Sequence, residues 1–188
     1  MVRSNPILRA MLIAAILSAA GHAASAETTA SATATVVAHI PPRISVSAIA
    51  PTVDVGIVRT GEFSATVAFR VETAASQVRL FVTATPLYKG GVATDPAVAP
   101  IPLSLARGVT FSAPDARPVG GSATAPFAGT GAVGNFEGHT TEALALASSQ
   151  ARGFSQDVSA TITWAQADNE KPPGEYAGRV VLTATILP

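Results

Sequence analysis

Apolar and polar residues alternate with a period of two along much of this chain. In two neighbouring stretches, Thr66–Thr73 and Gln77–Ala84, almost every second residue is valine, leucine or phenylalanine, and the residues between them are mostly polar. Such alternation is typical of a β-strand that buries one face. We therefore predict a strand at each stretch.

The same pattern predicts further strands later in the chain. Asp157–Trp164 aligns Trp164 with apolar residues, which places the indole in the core, and Tyr176–Leu187 forms the last strand. Shorter strands are predicted at Arg43–Ala48, Val53–Val58, Ile101–Leu105 and Val109–Ser112. One short helix is predicted at Thr140–Ser149, and the Gly- and Ala-rich region Gly120–Gly138 is predicted to be a long surface loop.

The number of strands and the turns between them indicate the fold class. About seven strands separated by Gly- and Pro-containing turns favour an all-β, immunoglobulin-like antiparallel β-sandwich. No internal repeat of solenoid length occurs, so we predict a single domain.

The N-terminus has the pattern of an export signal. Arg3 and Arg9 precede or border an apolar run from Ala10 to Ala20, and Ala24-Ser25-Ala26 fits a signal-peptidase site. We predict a signal peptide at residues 1–26, with cleavage after Ala26 or alternatively after Ala23. The apolar run is short for a membrane span, so we expect an exported protein without membrane insertion.

Composition excludes several function classes. Charged residues make up 13% of the chain and the formal net charge is zero, so nothing attracts it to nucleic acid or an anionic membrane. Low charge also leaves self-association unopposed. The chain has no cysteine, which excludes a disulfide framework and a cysteine-based zinc site.

The residues that could carry chemistry are scattered. His39 and His139 have no nearby pair of carboxylates, and no serine sits in a G-x-S-x-G turn. Gly129–Gly134 lacks the lysine of a phosphate-binding loop and is interpreted as a flexible loop, and Asp168–Glu170 as a solvated hairpin tip. Tyr88 and Phe136 are expected in exposed loops. We predict no enzyme, no cofactor and no metal site.

The segment at residues 27–42 stands apart from the predicted domain at 43–188. One face of its strand pattern carries small or aliphatic residues, and the other face is mostly polar. The apolar face consists of Ala32, Ala34, Val36, Ala38 and Ile40. Pro41 and Pro42 then stop the strand, because neither can donate a ladder hydrogen bond. The pattern fits an ordinary first strand with a proline kink. It also fits a donor strand that inserts into a neighbouring subunit, with the prolines as a hinge.

The C-terminal region indicates where such a strand would bind. The chain ends at Pro188, directly after the last predicted strand, so we expect that strand to form one wall of an open groove and Arg43–Ala48 the other. The predicted acceptor residues are Ile44, Val46, Tyr176, Val180, Leu182, Ala184 and Ile186.

Several motifs resemble one known family in their order and spacing. These are the stretches TVVAHIPPRISV (35–46), FSATVAFRVET (63–73), SQVRLFVTATP (76–86), IPLSL (101–105) and PPGEYAGRVVLTAT (172–185). Together they resemble the major pilin subunits of class 5, or alpha, chaperone–usher fimbriae, the colonisation-factor type. The resemblance covers nearly the whole predicted mature chain, except that the 120–138 region departs from the pattern.

The resemblance implies a structural role and a set of partners. A periplasmic chaperone would hold the open groove, an outer-membrane usher would export the subunit, and identical or related pilin subunits would stack into a surface fimbria that supports adhesion. Receptor binding in the family usually belongs to a separate tip adhesin. The alternative is a monomeric secreted β-sandwich, lectin-like or accessory, that completes its fold with its own first strand.

Overall fold

The computed structural model describes residue 35, residue 37 and residues 43–93, 98–151 and 153–187. The chain divides into two units between His39 and Ile40. Nearly all of the described residues belong to the second unit, and the fold below is that of this unit alone.

The described residues form β-strands connected by turns, with one 3-10 turn at Leu105–Arg107. The strands are β1 (Ile44–Ala48), β2 (Gly61–Thr73), β3 (Gln77–Ala84), β4 (Tyr88–Lys89), β5 (Val109–Ser112), β6 (Ala116–Pro118), β7 (Thr124–Ala125), β8 (Phe127–Val133), β9 (Phe136–Thr141), β10 (Leu144–Ser148), β11 (Phe154–Gln166), β12 (Tyr176–Ala177) and β13 (Val180–Ile186). The all-β class with antiparallel sheets is confirmed.

The strands form two principal sheets. The five-stranded sheet has the order β1-β2-β11-β5-β7, and every pairing in it is antiparallel. In the six-stranded sheet, β3 is bordered on one edge by β10 and β9 and on the other by β13, while β6 and β8 lie outside β10 and β9. The strands predicted within β2, β3, β5 and β11 are confirmed.

Both sheets contribute to one apolar core. Val71 and Ile162 come from the five-stranded sheet, Leu80 and Leu146 from the six-stranded sheet, and all four are almost fully buried. The alternation along the strands explains this packing, because successive side chains point to opposite faces of a sheet. The predicted core position of Trp164 is confirmed, since only 3% of that residue is exposed.

The two sheets are joined along one side by the chain itself. Strand β7 pairs with β5 in the five-stranded sheet, and after Pro126 the chain enters β8 of the six-stranded sheet. Glu142 donates its backbone N–H to the Pro126 carbonyl at 2.8 Å, which ties this crossover to the end of β9. The sheets therefore curl towards each other at this side.

Three predictions for the middle of the chain are wrong. Gly120–Gly138 is not a loop but contains β7, β8 and the start of β9. The stretch Gly129–Gly134 is accordingly not a flexible loop but mostly strand. The segment predicted as a helix, Thr140–Ser149, contains the end of β9 and all of β10. Its Leu144 and Leu146 lie two residues apart, on the face that packs against the core, and pairing with β3 overrides the helix propensity of its alanines and leucines.

Three strand predictions are also corrected. Val53–Val58 forms no strand, and Ile101–Leu105 forms only isolated bridges, from Ile101 to Leu87 and from Leu103 to Trp164. The last predicted strand is interrupted at Gly178 and Arg179, which separate β12 from β13. A Cβ on Gly178 would lie 2.8 Å from the Pro86 carbonyl oxygen, so this close approach requires glycine.

Candidate functional site

The predicted donor strand and hinge lie outside the described residues. This applies to Ala32, Ala34, Val36, Ala38, Ile40, Pro41 and Pro42, as it does to His39 and to the predicted signal peptide. Thr35 and Val37, from the opposite face of the pattern, are described and exposed. The acceptor residues, in contrast, all fall within described strands.

One wall of the predicted groove is β1, at the edge of the five-stranded sheet. It pairs with β2 on one side, and no described strand pairs with its other side. Ile44 and Val46 are half-buried and pack against the core, whereas Ser45 and Ser47 are exposed. The sequence therefore placed these two apolar residues correctly on the inner face of β1.

The other wall is β13, which pairs with β3 from Val180↔Ala84 to Ile186↔Val78. The even-numbered residues of β13 pair with residues of β3 that are fully buried. Because paired residues share a sheet face, the even-numbered side chains of β13 lie on the core face. Leu182 is buried, while Val180, Ala184 and Ile186 are only half-buried. The inner face of β13 is therefore apolar and incompletely covered.

The backbone of β13 also has a free edge, by which we mean the edge with which no described strand pairs. The Arg179 carbonyl accepts a hydrogen bond from Thr85 N at 3.0 Å, and Leu187 N donates to the Gln77 carbonyl at 3.3 Å. Since residues of an antiparallel strand alternate between bonding to a neighbour and pointing away from it, the odd-numbered residues bond to β3. The N–H and C=O groups on the free edge then belong to Val180, Leu182, Ala184 and Ile186.

The two walls lie side by side. Cα atoms of β1 and β13 approach within 8 Å of each other, yet the two strands are not paired. Ile44 and Val46 on one side and Val180 and Ala184 on the other pack against the same core. The structure thus places Ile44, Val46, Val180 and Ala184 against one core, with β1 and β13 next to each other.

Tyr176 is the one predicted acceptor residue outside β1 and β13. It belongs to β12, where it pairs with Lys89 of β4, and Gly178 and Arg179 separate it from β13. Its hydroxyl donates to the Pro172 carbonyl at 2.8 Å. Burial, and secondarily the charge of Asp168, raise the pKa of Tyr176 above its usual value. Tyr176 therefore packs against the same core from the segment before β13 but is not part of the β13–β3 pairing.

An exposed apolar segment follows β1 in the chain. Ile49, Val53, Val55 and Ile57 are all at least 39% exposed, and Ile57 is 94% exposed. The last three alternate with other residues, which is the pattern that predicted a strand at Val53–Val58. The sequence signal for a strand is present, but no described strand pairs with this segment.

The remaining candidate groups are placed as follows. His139 is not in a loop but in β9, half-buried beside the ring of Phe127. Asp168–Glu170 is an exposed turn, yet it links β11 to β12, which do not pair, so it is not the tip of a hairpin. Phe136 is buried, contrary to prediction, and Tyr88 is half-buried against it.

The described residues contain neither a metal-binding cluster nor a membrane-spanning helix. Within residues 43–93, 98–151 and 153–187, no cluster of three or more His, Cys, Asp or Glu side chains could hold a metal ion. In the same part of the chain there is no helix with the length and apolar character needed to cross a membrane. Comparison with protein-family models, with curated proteins and with solved structures finds no match.

Proposed function

We propose that this chain is a structural subunit of a surface fimbria that polymerises by donor-strand exchange. Its sandwich would be immunoglobulin-like and incomplete, and the strand at residues 32–40 of one copy would complete the next copy. The free edge of β13, with its half-covered apolar face, is the observation that carries this proposal.

The chemical character of this edge supports strand addition. Natural sheets usually protect their edges with charges, prolines, bulges or very short strands. The other outer strands of the six-stranded sheet follow this rule: β6 has three residues, with Arg117 and Pro118 among them, and β8 has a register shift between Phe127 and Gly129. Strand β13 has seven regular residues without charge or proline. An edge of this kind is suited to receive another strand.

The proposed donor matches what the edge offers. The face formed by Ala32, Ala34, Val36, Ala38 and Ile40 is apolar and mostly small, so it can lie over a shallow seam between β1 and β13. Full burial of a valine or isoleucine side chain contributes about 1.5–3 kcal/mol. The backbone groups on the free edge would add ladder hydrogen bonds, and main-chain bonding of this type is general in β-augmentation.

The exposed segment after β1 supports the same proposal. Val53, Val55 and Ile57 have strand-like alternation without a strand partner. Exposed apolar residues of this kind offer a surface that a neighbouring subunit could cover.

The resemblance of the sequence supplies the remaining parts of the proposal. The subunit would be exported through the periplasm by way of its signal peptide, held by a chaperone, passed to an outer-membrane usher and assembled with like subunits at the cell surface. No cofactor or catalytic residue takes part in such an exchange of strands.

A mixture of two complementary variants tests the proposal. The first lacks residues 27–40 and so has an acceptor but no donor. The second, Ala184→Pro, keeps the donor but removes an N–H from the free edge, on the side of β13 that does not bond to β3. We expect each refolded variant alone to be monomeric, and the mixture to form a one-to-one dimer that survives SDS without heating.

The matched control is Ala184→Val, which retains the N–H and should form long multimers like the unaltered chain. Multimers from the deletion variant alone would contradict the proposal, as would a mixture that remains monomeric while circular dichroism shows both variants folded. A monomeric binding module predicts a different outcome, in which the unaltered chain stays monomeric and the deletion only lowers its stability.

A further inference from the structure

A second site lies at the far end of the β8–β9 hairpin. Strand β9 pairs with β3 only at Thr140 and His139, so the rest of the hairpin extends past the end of β3. This extension and the segment around Tyr88 both line an open groove of about 690 Å³. Its lining consists of Pro86, Tyr88, Pro100, Thr130, Gly131, Ala132, Glu137, Gly138 and His139.

The hairpin presents polar groups on a face that is mostly apolar elsewhere in the sheet. His139 is paired with Ala84, which is fully buried, so it lies on the core face of the sheet. Thr130 pairs with His139 and Ala132 with Glu137, and these residues continue the same face beyond the core. The carboxylate of Glu137, the imidazole of His139 and the hydroxyl of Thr130 therefore lie on this face, where a core would require apolar side chains.

Rings also line the groove: those of Pro86, Pro100 and Tyr88. The Tyr88 hydroxyl donates to the Glu137 carbonyl at 3.3 Å, and the Tyr88 ring meets Phe136 edge-on at 5.4 Å between centroids. These contacts hold the phenol in place at the groove. Burial, and secondarily the charge of Glu137, raise the pKa of Tyr88, so its hydroxyl stays protonated at neutral pH.

We infer that this groove binds a short neutral oligosaccharide. Sugars present apolar C–H faces and hydroxyl edges, which match a lining that combines rings with a threonine, a histidine and a carboxylate. Among the described residues of the lining, Glu137 is the only carboxylate and there is no lysine or arginine, so we expect an anionic ligand to be disfavoured. The volume lies within the range of small-molecule sites, about 300–1,000 Å³.

A glycan array with neutral and sialylated oligosaccharides tests this inference on the full predicted mature chain. We expect binding to neutral glycans only. Ala132→Trp should abolish that binding because the indole would fill the groove, and Glu137→Gln, which keeps the side-chain shape, should weaken it about tenfold through the loss of charge-assisted hydrogen bonds.

The matched control is Ala128→Trp, an exposed alanine of the same strand that does not line the groove. This control should bind as the unaltered chain does. Binding of sialylated glycans alone, no glycan binding, or equal binding by Ala132→Trp and Ala128→Trp would each overturn the inference. The result is independent of the proposed fimbrial function, because a monomeric sample can bind glycans and a polymerising subunit can lack a sugar site.

Discussion

Trp164 shows how a single residue ties the two sheets together. Its indole Nε1 donates to the Thr85 carbonyl at 3.0 Å, and its ring stacks on Phe63 at 6.0 Å between centroids. Thr85 itself is fully buried just after β3, so this hydrogen bond satisfies a carbonyl that water cannot reach. The indole therefore contributes specificity as well as apolar burial to the core.

Two glycines with positive φ provide a residue-scale prediction. Gly134 (φ +63°) would place a Cβ in open space, whereas a Cβ on Gly153 (φ +106°) would lie 2.5 Å from the Thr73 carbonyl oxygen and 2.8 Å from Ala74. We expect Gly134→Ala to lower the free energy of unfolding by about 1–2 kcal/mol, the cost of left-handed backbone alone. Gly153→Ala should cost clearly more, because the β2–β3 turn would have to move.

Urea denaturation followed by Trp164 fluorescence measures both glycine variants, since the chain has one tryptophan. If both variants lose the same free energy of unfolding, the turn after β2 can move to accept the Cβ at residue 153 without destabilising the fold. In that case the close approach at Gly153 would have no role in stability.

At the scale of elements, the proposed strand exchange depends on the two edge strands β1 and β13. Strand β1 offers five residues and β13 seven, and each has an apolar inner face that is only half-covered. In the proposed donor strand, successive side chains point to opposite faces, so only every second residue would face the seam between β1 and β13. Neighbouring residues in the proposed donor should therefore respond very differently to the same substitution.

Val36→Asp and Val37→Asp test this assignment, because they make the same substitution on the two opposite faces of the proposed donor strand. Val36 belongs to the apolar face of the donor, so an aspartate there would be buried without a partner and should prevent assembly. Val37 is on the opposite face and is 68% exposed. We expect Val37→Asp to form SDS-resistant multimers at close to the normal level, measured on unheated gels; equal assembly by the two variants would show that the face assignment is wrong.

The elements also show how much the sequence could reveal. Strands β3 and β5 were predicted to the residue, because their alternation is strong and bounded by turns. The β8–β9 hairpin was missed because glycine and alanine carry little periodic signal, although Gly134-Asn135 is a two-residue turn between apolar residues, a known hairpin signature. The sugar-site residues Thr130, Glu137 and His139 lie on this hairpin, so the groove could not be predicted.

At the scale of the described domain, the two long sides of the sandwich differ. The β7–β8 crossover joins the sheets on one side, and on the other side β1 and β13 lie together without pairing. Neighbouring strands in a sheet are about 4.8 Å apart. A strand that bonded to both β1 and β13 would separate them by roughly twice that distance, more than the 8 Å approach of their Cα atoms. Insertion therefore requires the open side to widen, or bonding to β13 alone.

A peptide in trans tests whether the open side limits stability. We expect a synthetic peptide of residues 29–42 to stabilise the variant that lacks residues 27–40. At one hundred times its Kd the gain is about 2.7 kcal/mol, which corresponds to a rise in Tm of about 5–10 °C for a domain of this size. The same peptide with Val36→Asp is the control, and a Tm that both peptides leave unchanged would argue against a missing strand.

The direct passage from β7 through Pro126 into β8 has a consequence for growth. Since the chain itself seals one flank of the sandwich, a subunit would have a single vacancy to fill and a single segment to give. A subunit with one acceptor site and one donor segment cannot form branched assemblies, so the proposed product would be an unbranched fibre one subunit wide.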